Sequence, residues 1–258
     1  MRKTITLLLS AVSFLFVPFH LSGCAAHERT IQDLAYQRGK QESAYTIYLP
    51  ENHTFVPYYV LEGYGSDRVL LVRKFLLDEN TRYNPNEPGC AYYQGSIPDN
   101  FLQNEFPKRF PPDFLLQVCS TEIQITEKES LYTGSPVTER ISRQFFLLSN
   151  SDVFGNGSKI IASEGTKLDF FYEQEHCIAR HEDGTSDIWW LRTPDTWYDS
   201  LVCTVGQTGA LGISSVGGPD GEYSNAIRPA FCISHTAKVV KVDACCYLSG
   251  FTPSDSKN

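Results

Sequence analysis

Short runs of β-branched and aromatic residues, each cut off by proline, glycine or asparagine, recur along most of this chain and restrict it to folds built on strands. TIYLP, PYYVLEGY and RVLLVRKFLL come first, from Ala44 onwards. CSTEIQITEK alternates Ile123 and Ile125 with polar neighbours, the pattern of a half-exposed strand. RQFFLLS adds another, and the last third supplies IWWLR, LVCTVG, GALGISSVGG, AIRPAFCIS and AKVVKVDACCYL. Helical spacing is scarce. Residues 97–106 carry apolar side chains at 97, 101, 102 and 106 with Pro98 in the first turn, and Pro107 and Pro111-Pro112 stop the pattern. Residues 166–179 place Leu168, Phe171, Tyr172, Glu175, Ile178 and Ala179 at steps of three and four, which predicts an amphipathic helix. Residues 80–89 (NTRYNPNEPG) read as a loop. Most connections are too short for crossovers, so the expected fold class is α+β, mainly antiparallel strands with two or so helices.

The first 24 residues follow a different pattern. Arg2 and Lys3 precede an apolar run that ends in Leu21-Ser22-Gly23-Cys24, the layout of a secretory leader. The LSGC ending resembles the lipobox of bacterial lipoproteins, which implies cleavage before Cys24 and an acyl anchor on its thiol. The expected organisation is a signal peptide over 1–23, the lipidated Cys24 with a polar tether to 43, one α+β domain over 44–248, and a polar tail over 249–258. Localisation follows: a cell membrane, lipid-anchored, on the extracytoplasmic face.

The chain is acidic at −8, and loss of Arg2 and Lys3 with a leader that holds no acid takes it to −10. That charge argues against a nucleic-acid partner, and it leaves membrane attachment to acyl chains, not a basic patch. Seven cysteines follow Cys24, namely Cys90, Cys119, Cys177, Cys203, Cys232, Cys245 and Cys246, an odd number that cannot pair completely within one chain. Cys203 and Cys232 sit in apolar runs and read as buried small hydrophobes, with disulfides the alternative.

Four stretches together resemble one uncharacterised bacterial extracellular domain family: YYVLEGYGSDRVLLV (58–72), FFLLSNSDVFG (145–155), WWLRTPD (189–195) and AIRPAFCI (226–233). WWLRTP followed by IRPA is the specific part of the match. The family's Trp-rich and VRP-type strands are similar to those of C-type-lectin-like domains, so the resemblance implies that architecture. It implies no activity. This chain has Ala-Ile-Arg-Pro where members often have Gly-Val-Arg-Pro, and it runs on past the last family strand.

Within the WWLR segment, Trp189 and Leu191 would share one face of a strand, Trp190 and Arg192 the other. Arg192 and Arg228 either fix the core through acids and carbonyls or form an anion-binding pair under a ligand. Asp195-Thr196-Trp197-Tyr198-Asp199 sets two aromatics between carboxylates, a composition suited to stacking on sugar rings, unless Trp197 folds back onto the domain. Asp220 and Glu222, in a turn-rich segment, are candidates for the same surface. His176 and His181 stand too far apart for one helix face, no HExxH is present and the lectin-type EPN and WND signatures are missing, so no metal or other cofactor is expected. No GxSxG, P-loop or complete GxGxxG is found. The functional expectation is therefore non-catalytic binding of an extracellular glycan or protein through Trp197, Tyr198, Asp199, Asp220, Glu222, Arg192 and Arg228. The alternatives are an enzyme acting on envelope material, or a structural or assembly partner at the cell surface.

Overall fold

The anticipated β-rich runs become thirteen strands in the computed structural model, which describes residues 29–84, 90–155, 157–217 and 223–253. In chain order they are β1 (Thr46–Glu51), β2 (Thr54–Leu61), β3 (Arg68–Arg73), β4 (Val118–Cys119), β5 (Thr121–Thr126), β6 (Thr138–Arg143), β7 (Phe145–Phe146), β8 (Trp189–Pro194), β9 (Leu201–Val205), β10 (Leu211–Ser215), β11 (Ala230–Ser234), β12 (Val239–Val242) and β13 (Cys245–Leu248). The helices are α1 (Ile97–Asn104), α2 (Pro112–Leu115), α3 (Ser130–Thr133), α4 (Asn150–Phe154) and α5 (Gln174–Cys177). The fold is α+β, and only the β1–β13 pair is parallel among the described strands.

The main sheet runs β12-β13-β1-β2-β3-β11-β4, with β7 also pairing β11. Its centre is β3, RVLLVR, buried along both faces, which explains why that run is continuously apolar instead of alternating. Asn52 and His53 join β1 to β2 with φ of 49° and 61°, the two left-handed residues of a tight hairpin. A three-stranded sheet, β10-β9-β8, and the β5–β6 hairpin complete the strands.

One contiguous core links these parts and begins before β1. Ile31 and Leu34 are fully buried, and the Ile31 amide donates to Ala237 O at 2.8 Å. The stretch expected to be a polar tether thus packs against the sheet from Thr30 onwards, and Ile31, Leu34, Ala35 and Tyr36 are all buried. The predicted helix at 97–106 forms as α1, capped by Ser96, whose Oγ accepts from the Asp99 amide at 3.3 Å. The single helix predicted over 166–179 does not form. A 3₁₀ turn over Asp169–Tyr172 gives way at Glu173, which is extended at φ −90° and ψ 114°, before the one turn of α5. Residues three apart line one face of a 3₁₀ turn as well as of an α-helix, so Leu168, Phe171 and Cys177 reach the core without a continuous helix.

Leader residues 1–23, Cys24, Asp220, Glu222 and the tail from 254 lie outside the described residues.

Candidate functional site

Among the described residues, three places bring chemically capable side chains together. The first is the loop after β8. Asp195 is buried, and its Oδ1 accepts from the amides of Trp197 at 2.7 Å and Tyr198 at 3.4 Å. Thr196 anchors the other side by donating its amide to Ile160 O at 2.8 Å. Pinned this way, the loop carries its aromatics outward: Trp197 is 65% exposed and Tyr198 59%. Tyr132, at the tip of the β5–β6 hairpin, is also 65% exposed. A methyl group built on neighbouring Gly134 would sit 3.4 Å from the Trp197 ring, so the hairpin tip and the loop share one face. The Cys90 thiol beside Tyr132, then partial burial and then the Asp199 carboxylate raise that phenol's pKa. Asp199 is half-buried and its carbonyl accepts from the Ala91 amide.

The second place surrounds Arg192, which is fully buried. β8 pairs regularly with β9 at Trp189 and Trp190, and then the register shifts before Pro194. That irregularity lets the Arg192 amide bond Leu148 O at 2.9 Å and sends the side chain inward. Its Nη1 donates to Tyr64 Oη (3.0 Å), Leu147 O (2.8 Å) and Asp152 Oδ2 (3.1 Å), Nη2 to Glu164 O (2.9 Å) and Nε to Gln124 O (2.9 Å). Glu164 Oε2 lies 3.4 Å from Nε. Asp152 is held by a capping box in which Ser149 Oγ accepts from its amide and its own carboxylate accepts from the Ser149 amide. Burial works against the Arg192 charge, but Tyr64, Asp152 and Glu164 outweigh it and raise the pKa. Burial likewise raises Glu164, opposed by Arg192 and by hydrogen bonds from Thr126 and Thr193. Above this cluster lies an open cleft of about 520 Å³ lined by Tyr64, Asp152, Glu164 and Arg140. Gly63, Tyr64 and Gly65 roof it with φ of 125°, 61° and 127°, and Tyr64 is the strained member. Its hydroxyl donates to Asp152 Oδ2 at 2.6 Å.

The third place surrounds Arg228, 1% exposed, whose Nε donates to Arg73 O at 3.1 Å. A cavity of about 350 Å³ opens beside it.

Of the residues expected to share one site, Trp197, Tyr198 and Asp199 share a surface, whereas Arg192 and Arg228 lie in the interior in separate surroundings. Trp189 and Trp190 are fully buried, their indole nitrogens donating to Cys177 O (3.2 Å) and Thr81 O (2.7 Å). Sequence reasoning did not single out Tyr132, Tyr64, Asp152 or Glu164; the Ser149-x-x-Asp152 spacing was the one local signal that could have flagged Asp152. His176 and His181 face different acids, and among the described residues no group of three or more His, Cys, Asp or Glu side chains is placed to hold a metal ion.

An α+β domain with a pinned aromatic face, a clamped arginine and a polar cleft is what these features define. Residues 66–235 match the family described as a domain of unknown function, DUF6273, and the chain belongs to that family. No curated protein and no solved structure matches the chain.

Proposed function

We propose that this chain is a lipid-anchored extracytoplasmic protein whose domain, C-type-lectin-like in character, binds an extracellular ligand without catalysis, a glycan foremost and a protein surface as the alternative. The anchor is Cys24, released as the first residue after cleavage of 1–23 and acylated on its thiol. The observation that carries the binding reading is the exposure on one face of Tyr132, at the hairpin tip, and of Trp197 and Tyr198, on a loop pinned by the hydrogen bonds of Asp195 and Thr196. Exposed aromatic rings with a carboxylate nearby suit sugar recognition: the ring stacks on the apolar face of a pyranose and Asp199 accepts from hydroxyls. Such pinning lowers the ordering cost of binding.

The test is a glycan array probed with the purified protein and with Trp197→Ala. The reading expects one glycan class to be retained by the wild type and lost by the variant. Retention unchanged in the variant, or no retained glycan, overturns it. The anchor is tested separately by intact mass of the natively produced protein: loss of 1–23 with added acyl mass is expected, and an unmodified full-length mass defeats it.

One observation favours the second reading, an envelope-acting enzyme: Glu164 has a raised pKa and lines the 520 Å³ cleft. Against it, Glu164 accepts from the Thr126 amide and hydroxyl and from the Thr193 hydroxyl at 2.6–2.7 Å, the bonding of a structural carboxylate. The binding reading therefore stands first.

A further inference from the structure

We propose that the cavity beside Arg228 binds a small monocarboxylate with an apolar body, the carboxylate pairing with the Arg228 guanidinium. Buried charges in proteins are paired, because removing a lone ion from water is expensive. Three deeply buried arginines follow this rule unequally. Arg192 meets Asp152 and Glu164, and Arg73 meets Glu51 at 3.0 Å. Arg228 has no carboxylate within 4.0 Å among the described residues, although it is 1% exposed. Its protein partners are the carbonyl of Arg73 and, at a long 3.4 Å from Nη1, that of His176. Nη2 donates to no described residue.

Aromatic rings supply part of the missing compensation. The guanidinium carbon lies 5.3 Å from the Trp189 ring centre, 5.9 Å from Phe171 and 6.0 Å from Tyr59. The last two are at the limit of about 6 Å where ring attraction counts. None of the three cancels a charge. Burial accordingly pulls Arg228 down to about 10, with Tyr59 and Cys177 opposing the shift, so it remains cationic at neutral pH.

What the guanidinium lacks, the adjoining cavity can admit. It measures about 350 Å³, near the small end of ligand pockets. Its walls are Tyr59, Phe75 and Phe170 with Lys74 and Arg180, against Glu42 and Glu175. Glu42 is already committed to Lys74 and to the Tyr59 hydroxyl. The lining therefore carries one excess positive charge beside aromatic walls. That combination selects a monoanion with a flat or aliphatic body over a multiply charged phosphate. None of the cavity's lining residues belongs to the Trp197 face, so failure of the glycan reading leaves this site untouched.

The experiment is calorimetry and thermal denaturation of the purified protein with benzoate, acetate, inorganic phosphate and chloride at constant ionic strength. Benzoate is expected to bind saturably, to raise the melting temperature and to bind about tenfold or more tightly than phosphate. Arg228→Met should abolish benzoate binding while melting no lower than the unliganded wild type, because it removes an unpaired charge and keeps volume. Lys74→Ala, a substitution at the partly exposed wall, should weaken benzoate several-fold and covers the case in which Arg228→Met does not fold. Absence of saturable benzoate binding by the wild type, equal binding by Arg228→Met, undiminished binding by Lys74→Ala or tighter binding of phosphate would each overturn the assignment.

Discussion

Arg192 and Asp152, 40 positions apart in sequence, meet at 3.1 Å in the interior, and the Asp152 oxygen that receives Arg192 also receives the Tyr64 hydroxyl at 2.6 Å. One guanidinium thereby ties β8, the start of α4, the loop after β2 and the segment holding Glu164 into a single unit. Replacing Arg192 with Met should cost about 3–5 kcal/mol, because two buried carboxylates lose their countercharge. Urea unfolding measures this, and a loss under about 1 kcal/mol would show that the cluster relaxes to solvent.

Gly63 roofs the cleft at φ 125°, and a Cβ there would stand 2.7 Å from Leu168 Cδ2. Gly63→Ala should destabilise by about 1–3 kcal/mol, since the backbone conformation is strained for an L side chain and Leu168 must also move. A chemical-denaturation midpoint equal to wild type would contradict the roof geometry.

Three tryptophans occur in the chain, and they divide cleanly by exposure: Trp189 and Trp190 at 0%, Trp197 at 65%. Iodide should quench one component of the native emission, and Trp197→Ala should remove that component. The substitution should leave stability within about 0.5 kcal/mol, as for other exposed sites. Quenching that persists in the variant would mean that β8 is open to solvent.

The seven cysteine thiols among the described residues are free and unequal. Burial pushes Cys203 and Cys232 up to about 12, so both should resist a thiol reagent at neutral pH until the protein unfolds, whereas half-buried Cys90, Cys119 and Cys245 should react first. The sign of the pH effect follows. A folded pKa above that of the unfolded thiol, about 8.5, gives a stabilising contribution that is complete below that pH and is lost as pH climbs towards 12. Stability that increases between those limits, or prompt labelling of Cys203, would contradict the burial.

Strands were legible because their signal is local: RVLLVR and AFCIS are apolar runs that only a covered sheet can use. The exposure of Trp197 was legible in part, from aromatics set among turn-forming residues, yet the decision came from Asp195 folding back on the Trp197 amide. The Arg192 cluster was not legible. Its partners arrive from Tyr64, Asp152 and Glu164, and contacts at such separations leave no spacing to read. Residues 166–179 misled for a physical reason, since an apolar residue every third position is shared by 3₁₀ and α turns.

The parallel partnership of β1 with β13 bears on how the domain should be handled. Sheet order places β12, β13, β1 and β2 on one side of β3, and all four lie outside the 66–235 family match. Expressing only the matched portion would amputate that flank and leave Val69 to Val72 as a raw, sticky border inviting aggregation. Recombinant boundaries should therefore be drawn around the whole sheet, from before Ile31 to beyond Phe251.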